Sequence, residues 1–268
     1  MTPPTPDPAF HWTREPWGHA LRCVPLSALA QHLFTSKQLA LPGTAAWSAA
    51  LTSLGASDER LMRVKQVHGK VVRILGKGGV AEDASEQEPD GDAIVSNQPG
   101  LALAVMVADC VPILLVDPVA GAAAAIHAGW RGTCARVAPE AIASMKREFG
   151  SNPVDLLAAI GPSAGPDDYE VGESLVEAFR AAGHPPAGID RWFIRSSAKP
   201  HLDLWAANRD QLVDAGLRST HIHVCGLSTV SNPDVFDSYR VAGERAGRMA
   251  GIIVVPALSK PDPDLANR

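Results

Sequence analysis

Three short apolar runs lie close together between Asp90 and Cys134: Leu101–Val107, Val111–Val116 and Gly121–Ile126. They are rich in Val, Ile, Leu and Ala and are bounded by Pro99-Gly100 and by the Asp117–Gly121 turn, so each reads as a buried strand. Polar groups interrupt them at two points only. Asp109-Cys110 falls between the first and second runs, and His127 ends the third, just before Ala-Gly-Trp-Arg-Gly. A thiol and an imidazole at adjacent strand ends can converge on one point, the arrangement of a metal or nucleophile site on a rigid sheet.

The rest of the chain alternates strand and helix signals. Helices are expected over Ala45–Leu54, from a Thr133 cap to Phe149, over Gly172–Ala182, and from Asp203 to a stop at Gly216. Strands are expected at Leu61–Val67, Val71–Leu75, Leu156–Ile160, Arg191–Ile194, Ile222–Cys225 and Ile252–Val255, with Gly243–Gly251 helical before the last. Cys23–Phe34 has no clear period, and the acidic stretch Gly76–Gly91 reads as a solvated, mobile loop. Interleaved elements with no internal repeat predict one α/β domain over residues 21–256. Residues 1–20, Pro-rich as far as Pro8, are expected to be a disordered segment, and residues 257–268 a tail.

Composition narrows the partners. A net charge of −5 over 268 residues leaves no basic footprint for nucleic acid, so an anionic substrate would need locally placed arginines. No apolar run reaches the roughly 18 residues of a membrane span, and the N-terminus lacks the basic-then-apolar order of a secretory signal. Four scattered cysteines in a long chain suit reduced thiols and a cytoplasmic protein.

His68 joins Cys110 and His127 as a candidate zinc ligand. The separations, 42 and 17 residues, are too long for a zinc finger and place the ligands on separate elements of a scaffold. Two other chemistries use the same residues. Cys110 could be a nucleophile, with His127 or His68 as base and Asp92 or Asp109 as orienter. Two histidines and one cysteine also suit copper. A multicopper oxidase, however, needs further paired histidines, and among nine in all the chain has one such pair, His221-Ile-His223.

Several motifs occur in a fixed order: KQVHG at Lys65–Gly69, DGDAIVSN at Asp90–Asn97, ADCVPILLVDP at Ala108–Pro118 and HAGWRGT at His127–Thr133. AIGPSAG at Ala159–Gly165, LDLWAANRDQL at Leu202–Leu212, FDSYR at Phe236–Arg240 and GERAGRMAGII at Gly243–Ile253 follow. Together they resemble the laccase-domain, YfiH-like family, once described as polyphenol oxidases and now as zinc-dependent purine nucleoside phosphorylases. The resemblance implies a layered α/β/β/α sandwich of mixed sheets flanked by helices, with zinc on His68, Cys110 and His127. It also implies phosphorolysis of adenosine, inosine and methylthioadenosine, together with deamination of adenosine. The chain is expected to act as a monomer or small homo-oligomer. Two departures stand out. Where the family often has a Phe-Ser/Thr-Thr-Arg segment, this chain has Phe34-Thr35-Ser36-Lys37, and a lysine lacks the two-pronged grip of arginine on phosphate. Where the family has Cys-Thr, this chain has Cys225-Gly226.

Purine nucleoside and phosphate are thus the expected substrates. Arg131, Arg240 and Arg248, with Lys37, are the candidate phosphate-binding groups, since guanidinium pairs with phosphate oxygens two at a time. Asp92, Cys110 and Arg240 are the candidate catalytic residues, with Asp92 as acid or base, and Trp130 is a candidate stacking face for the purine. The zinc-deaminase signature His-x-Glu with Pro-Cys-x-x-Cys is absent from the sequence.

Overall fold

Every residue of the run Val111–Asp117 is buried, and its side chains alternate between two different cores. Val111, Ile113 and Leu115 face helices, whereas Leu114 and Val116 face a second sheet. The period-2 alternation of a strand with both faces covered therefore explains an apolar run without polar interruption. The computed structural model describes residues 2–76, 88–195 and 198–257.

In chain order the strands are β1 (Phe10–Glu15), β2 (Gly18–Cys23), β3 (His32–Thr35), β4 (Leu61–Met62), β5 (Val72–Leu75), β6 (Ala93–Ser96) and β7 (Ala102–Val107). They continue as β8 (Val111–Asp117), β9 (Ala122–Ala128), β10 (Leu157–Ile160), β11 (Phe193–Ile194), β12 (His201–Leu202), β13 (Ile222–Val224) and β14 (Met249–Val254). Two six-stranded sheets result, ordered β1-β2-β3-β14-β7-β4 and β13-β10-β8-β9-β6-β5, with β11 and β12 as a separate ribbon. Both are mixed: β4 lies parallel to β7, and β5 and β13 lie parallel to β6 and β10, while the other pairs run antiparallel.

The sheets pack face to face through Leu21, Phe34, Leu103, Val105, Leu114, Val116, Ala123 and Ile253. The outer face of the first sheet is covered by the helix Thr44–Thr52 through Trp47, Ala50 and Leu51 against Ala102, Ala104 and Ile252. The outer face of the second carries the helices Val137–Phe149, Glu173–Ala181, Pro186–Trp192 and Leu204–Asp214. This is the α/β/β/α layering that the sequence resemblance implied, in one α/β body.

Local expectations fare unevenly. Residues 10–23 form a hairpin rather than a disordered segment, because Phe10, Ala20, Leu21 and Cys23 are buried. Its leading residues are tied down as well: Trp12 Nε1 donates to the Pro4 carbonyl at 2.7 Å and the Asp7 amide to the Cys225 carbonyl at 2.9 Å. Cys23–Phe34, which has no clear sequence period, forms a short helix (Val24–Ser27) and most of β3. Gly243–Gly251 is helical only over the single 3-10 turn Gly243–Arg245. Met249–Val254 instead fills the gap between β3 and β7, where non-local pairing and burial outweigh local preference.

The expected strand Leu61–Val67 is regular only at Leu61–Met62, and Arg191 belongs to the helix that precedes β11. The helix expected from Thr133 is two helices, Trp130–Cys134 and Val137–Phe149, parted by Arg136 at φ 63°. Most of the expected Gly76–Gly91 loop (77–87) and the end of the tail (258–268) lie outside the described residues.

Candidate metal centre and its cleft

The chain crosses between the sheets at one end of the sandwich, from β4 to β5 and from β7 to β8, and each crossing delivers one reactive group. His68 lies on the first crossing and Cys110 on the second, while His127 sits near the end of β9, in register with Pro112 on β8. Their ligand atoms all lie within 4.8 Å of one another, and the two imidazole rings stand edge to face with centroids 4.8 Å apart. Among the described residues this is the one such cluster of three or more His, Cys, Asp or Glu side chains.

Asp92, fully buried just before β6, holds both histidines. Its Oδ1 lies 2.9 Å from His127 Nδ1 and accepts the His68 amide at 2.9 Å, while Oδ2 accepts the Gly69 amide at 2.6 Å. Those amide bonds hold His68 in the left-handed region at φ 58°, an uncommon place for a non-glycine residue. The bond to His127 engages Nδ1 and leaves Nε2 for a ligand, as carboxylates hydrogen-bonded behind metal-binding imidazoles do. Gln66 braces the same crossing: its amide donates to the Met106 carbonyl at 2.7 Å and accepts the Met106 amide at 2.8 Å, extending the β4–β7 pairing with a side chain.

The thiol has room because residue 129 is glycine. A Cβ there would stand 2.7 Å from Cys110 Sγ and 3.5 Å from His68 Cδ2. Burial pushes the Cys110 thiol up, but hydrogen bonds and charge from His127, then His68, outweigh it and bring the pKa down to about 6. Burial lowers His127, but its bonds to Asp92 and Cys110 more than compensate and raise it. Both shifts favour a thiolate beside an imidazolium in the metal-free group, and a cation can replace the proton between them. One thiolate, two imidazoles and a buried carboxylate behind one of them fit a divalent metal with an open coordination position.

The three side chains themselves border a cleft of about 830 Å³, which Lys65, Trp130, Arg131, Tyr169, Tyr239, Arg240 and Arg248 help to line. The Arg131 guanidinium lies 4.2 Å above the Trp130 ring, and that of Arg240 is 5.1 Å from the Tyr169 ring and donates to the Glu170 carbonyl. Arg248 Nη1 donates to the carbonyls of Ala246 and Gly247 at 3.0 and 2.9 Å. Among the described residues no carboxylate forms an ion pair with any of these three arginines.

Several other polar residues lie outside the cluster. Lys37 is not among the residues lining the cleft; its ammonium donates to the Pro233 carbonyl at 2.5 Å. Of the two candidate orienters, Asp92 meets His127, whereas Asp109 bonds Thr229 and the Arg240 amide. Cys134 points to the Ala178 carbonyl at 3.6 Å, and Cys225 is fully buried with its pKa pushed up to about 12 by burial; neither joins the cluster. Gly129 and Gln66 had no signal of their own in the sequence beyond lying in the same motifs as His127 and His68.

Comparison with known proteins assigns relatives to this architecture. Residues 44–256 match the family described as multi-copper polyphenol oxidoreductase laccase. A purine nucleoside phosphorylase from Bacteroides thetaiotaomicron is 36% identical over 202 residues, 73% of this chain and 74% of that protein. A protein of an unknown prokaryotic organism, named as an adenosine deaminase, is 38% identical over 200 residues, 73% of this chain and 75% of its own length. The crystal structure of YlmD from Geobacillus stearothermophilus superposes with a TM-score of 0.81 at 30% identity, covering 92% of this chain and 99% of that one.

Proposed function

This chain belongs to the multi-copper polyphenol oxidoreductase laccase family, and from that premise and its relatives' names we propose that it is a zinc-dependent purine nucleoside phosphorylase. The substrates are a purine nucleoside, such as adenosine, inosine or methylthioadenosine, and inorganic phosphate; the products are the free base and ribose 1-phosphate. The observation that carries the reading is the pairing in one cleft of the His68–Cys110–His127 cluster with three arginines that lack carboxylate partners among the described residues. A thiolate–imidazole site alone suits several chemistries, but unpaired guanidinium groups beside it suit a phosphate co-substrate.

In this reading His68, Cys110 and His127 hold the metal, and Asp92 fixes the tautomer and orientation of His127. Zinc bound there would supply Lewis acidity towards an oxygen of substrate or phosphate. Arg131, Arg240 and Arg248 hold phosphate so that one of its oxygens bonds the anomeric carbon as the bond from that carbon to the purine nitrogen breaks. The base leaves with the bonding pair and takes up a proton, balanced by the one that the attacking hydrogen phosphate gives up. Trp130 presents an aromatic face to the purine. Lys37 has no part in this scheme, since its ammonium is already engaged at Pro233.

The name of the adenosine deaminase relative supports a second activity, hydrolytic deamination of adenosine in the same cleft. Four free cysteines suit a reducing compartment, the cytoplasm in this proposal. Among the described residues, no helix is long and apolar enough to cross a membrane.

Metal analysis of the purified protein, followed by incubation with inosine and with adenosine in the presence and absence of phosphate, tests the proposal. About one zinc per chain and phosphate-dependent release of hypoxanthine and adenine are expected. Arg240→Ala and Arg248→Ala should each raise the KM for phosphate by roughly tenfold or more, in line with the loss of a charge-assisted hydrogen bond. A fully active, metal-free preparation that ignores chelators would replace this reading with a Cys110 thiol hydrolase, and bound copper with phenol oxidation would restore the family's older description.

A further inference from the structure

We propose that Asp109 is a positioning residue that sets the distance between Arg240 and the Cys110 end of the cluster, and so sets the affinity for phosphate. The proposal rests on the reading that Arg240 holds phosphate. Asp109 directly precedes Cys110 and has φ 82°, the left-handed region that favours glycine. Aspartate usually tolerates that region by bonding its own neighbourhood. Here the side chain reaches far along the chain instead. Its Oδ1 accepts the Thr229 hydroxyl at 2.6 Å and Oδ2 accepts the Arg240 amide at 2.7 Å, partners 120 and 131 residues away. Its carbonyl accepts the Ala164 amide at 2.9 Å. One residue thus gathers three later segments onto the strand crossing that carries Cys110.

Arg240 needs such a hold. It lies in a single helical turn, Tyr239–Ala242, capped by the Ser238 hydroxyl, and so short a helix cannot fix its own place. The guanidinium is braced at one end by the Glu170 carbonyl and the Tyr169 ring, and the main chain at the other by Asp109. A carboxylate lining an anion cleft also repels the anion, so a purely local role would be served better by glycine. What the side chain at 109 adds is two polar atoms that each meet a different partner.

Titration of inorganic phosphate into the metal-loaded protein, with metal content measured alongside, tests the tether. Asp109→Gly keeps the backbone conformation but removes both bonds, and should raise the phosphate Kd about tenfold at unchanged metal content. Thr229→Val, a milder change, should raise it roughly threefold. Asp109→Asn can accept from the Arg240 amide and donate to the Thr229 hydroxyl, so it should bind phosphate at least as well as the native protein. In an Arg240→Ala background neither Asp109→Gly nor Thr229→Val should weaken phosphate binding further.

Additive effects in that background, metal loss in step with phosphate loss, or an Asn variant as weak as the Gly variant would each overturn the proposal. If Arg240→Ala itself leaves phosphate binding unchanged, the assignment of Arg240 falls and the tether falls with it. If Arg240→Ala weakens binding and Asp109→Gly does not, only the tether falls.

Discussion

The two sides of the cleft are built on different principles. The thiol and imidazoles come from strand crossings and a strand end, with a buried carboxylate bonded at once to the His127 ring and to the amides of His68 and Gly69. The arginines come from short helices and irregular chain, and their hydrogen bonds and ring contacts are to main-chain carbonyls and aromatic faces. A metal tolerates little error in ligand placement, so its ligands sit where the sheets are rigid and every polar atom behind them is used. A phosphate has oxygens on all sides and can be gripped by longer side chains held more loosely. Damage on the cluster side should therefore be abrupt, and damage on the arginine side graded.

The largest effects test the first half of that contrast. His68→Ala, His127→Ala and Cys110→Ser should each reduce bound metal and phosphorolysis to background, measured by metal analysis and base release. A variant that retained both would show that its side of the cluster is not a ligand. Gly129→Ala should come next. The backbone there is ordinary, so the effect comes only from a Cβ 2.7 Å from Cys110 Sγ, and a displacement of that kind should lower metal affinity on the order of 10²-fold in a chelator competition. Native affinity in this variant would mean that the thiol has slack.

Asp92→Asn should cost less, roughly 10–100-fold in metal affinity, because the amide has one acceptor where three donors converge. Its pH dependence carries a sign. Burial raises the Asp92 carboxyl, but the bonds from His127, Gly69 and His68 outweigh it and hold the carboxyl below its usual range. A depressed folded pKa gives stability that is present above the unfolded value of about 3.9 and lost as pH falls through the folded one. Denaturant midpoints of the metal-free native and Asn proteins should thus differ at pH 7 and converge in acid; a gap unchanged down to pH 3 would detach Asp92 from the stability of the site.

The smallest effects belong to residues that resemble site residues in sequence only. Lys37→Ala should leave phosphate KM within about twofold, and Cys134→Ser should leave metal content unchanged. Cys225→Ser should keep its metal while losing about 1–3 kcal/mol of stability, the cost of a hydroxyl in a fully buried site. Loss of metal from either cysteine variant would blur the line between the rigid cluster and the rest of the molecule.

How legible each part was from sequence follows the same division. Cys110 and His127 stand at the ends of apolar runs, where a reactive side chain contrasts with its surroundings, and His68 follows an expected strand in the same way. Asp92 was noticed as an acid in a motif, but its bond to His127 spans 35 residues and depends on β6 pairing with β9. Gly129 carries its meaning in an absent atom. Lys37 was a candidate through alignment to a family segment, and only the fold shows that its ammonium turns to Pro233. Among the elements, β8 and β9 announced themselves because both faces are buried. The hairpin Phe10–Cys23 was obscured by the prolines before it, and β14 by glycines in a segment whose conformation comes from its two neighbours.

The place of β14 also bears on how the chain comes to fold. It is the last strand described, yet it sits in the middle of its sheet, bonded to β3 on one side and β7 on the other. During synthesis β1, β2 and β3 can pair as a meander, but the free edge of β3 must wait for residues more than two hundred positions later before it is covered. Non-local closure of this kind is slow, and an open hydrophobic edge invites pairing with another chain. A ribosome that stalls just short of Met249 would release two half-sheets with facing unsatisfied edges, and the protein's yield in a cell should depend on how quickly that final stretch is delivered.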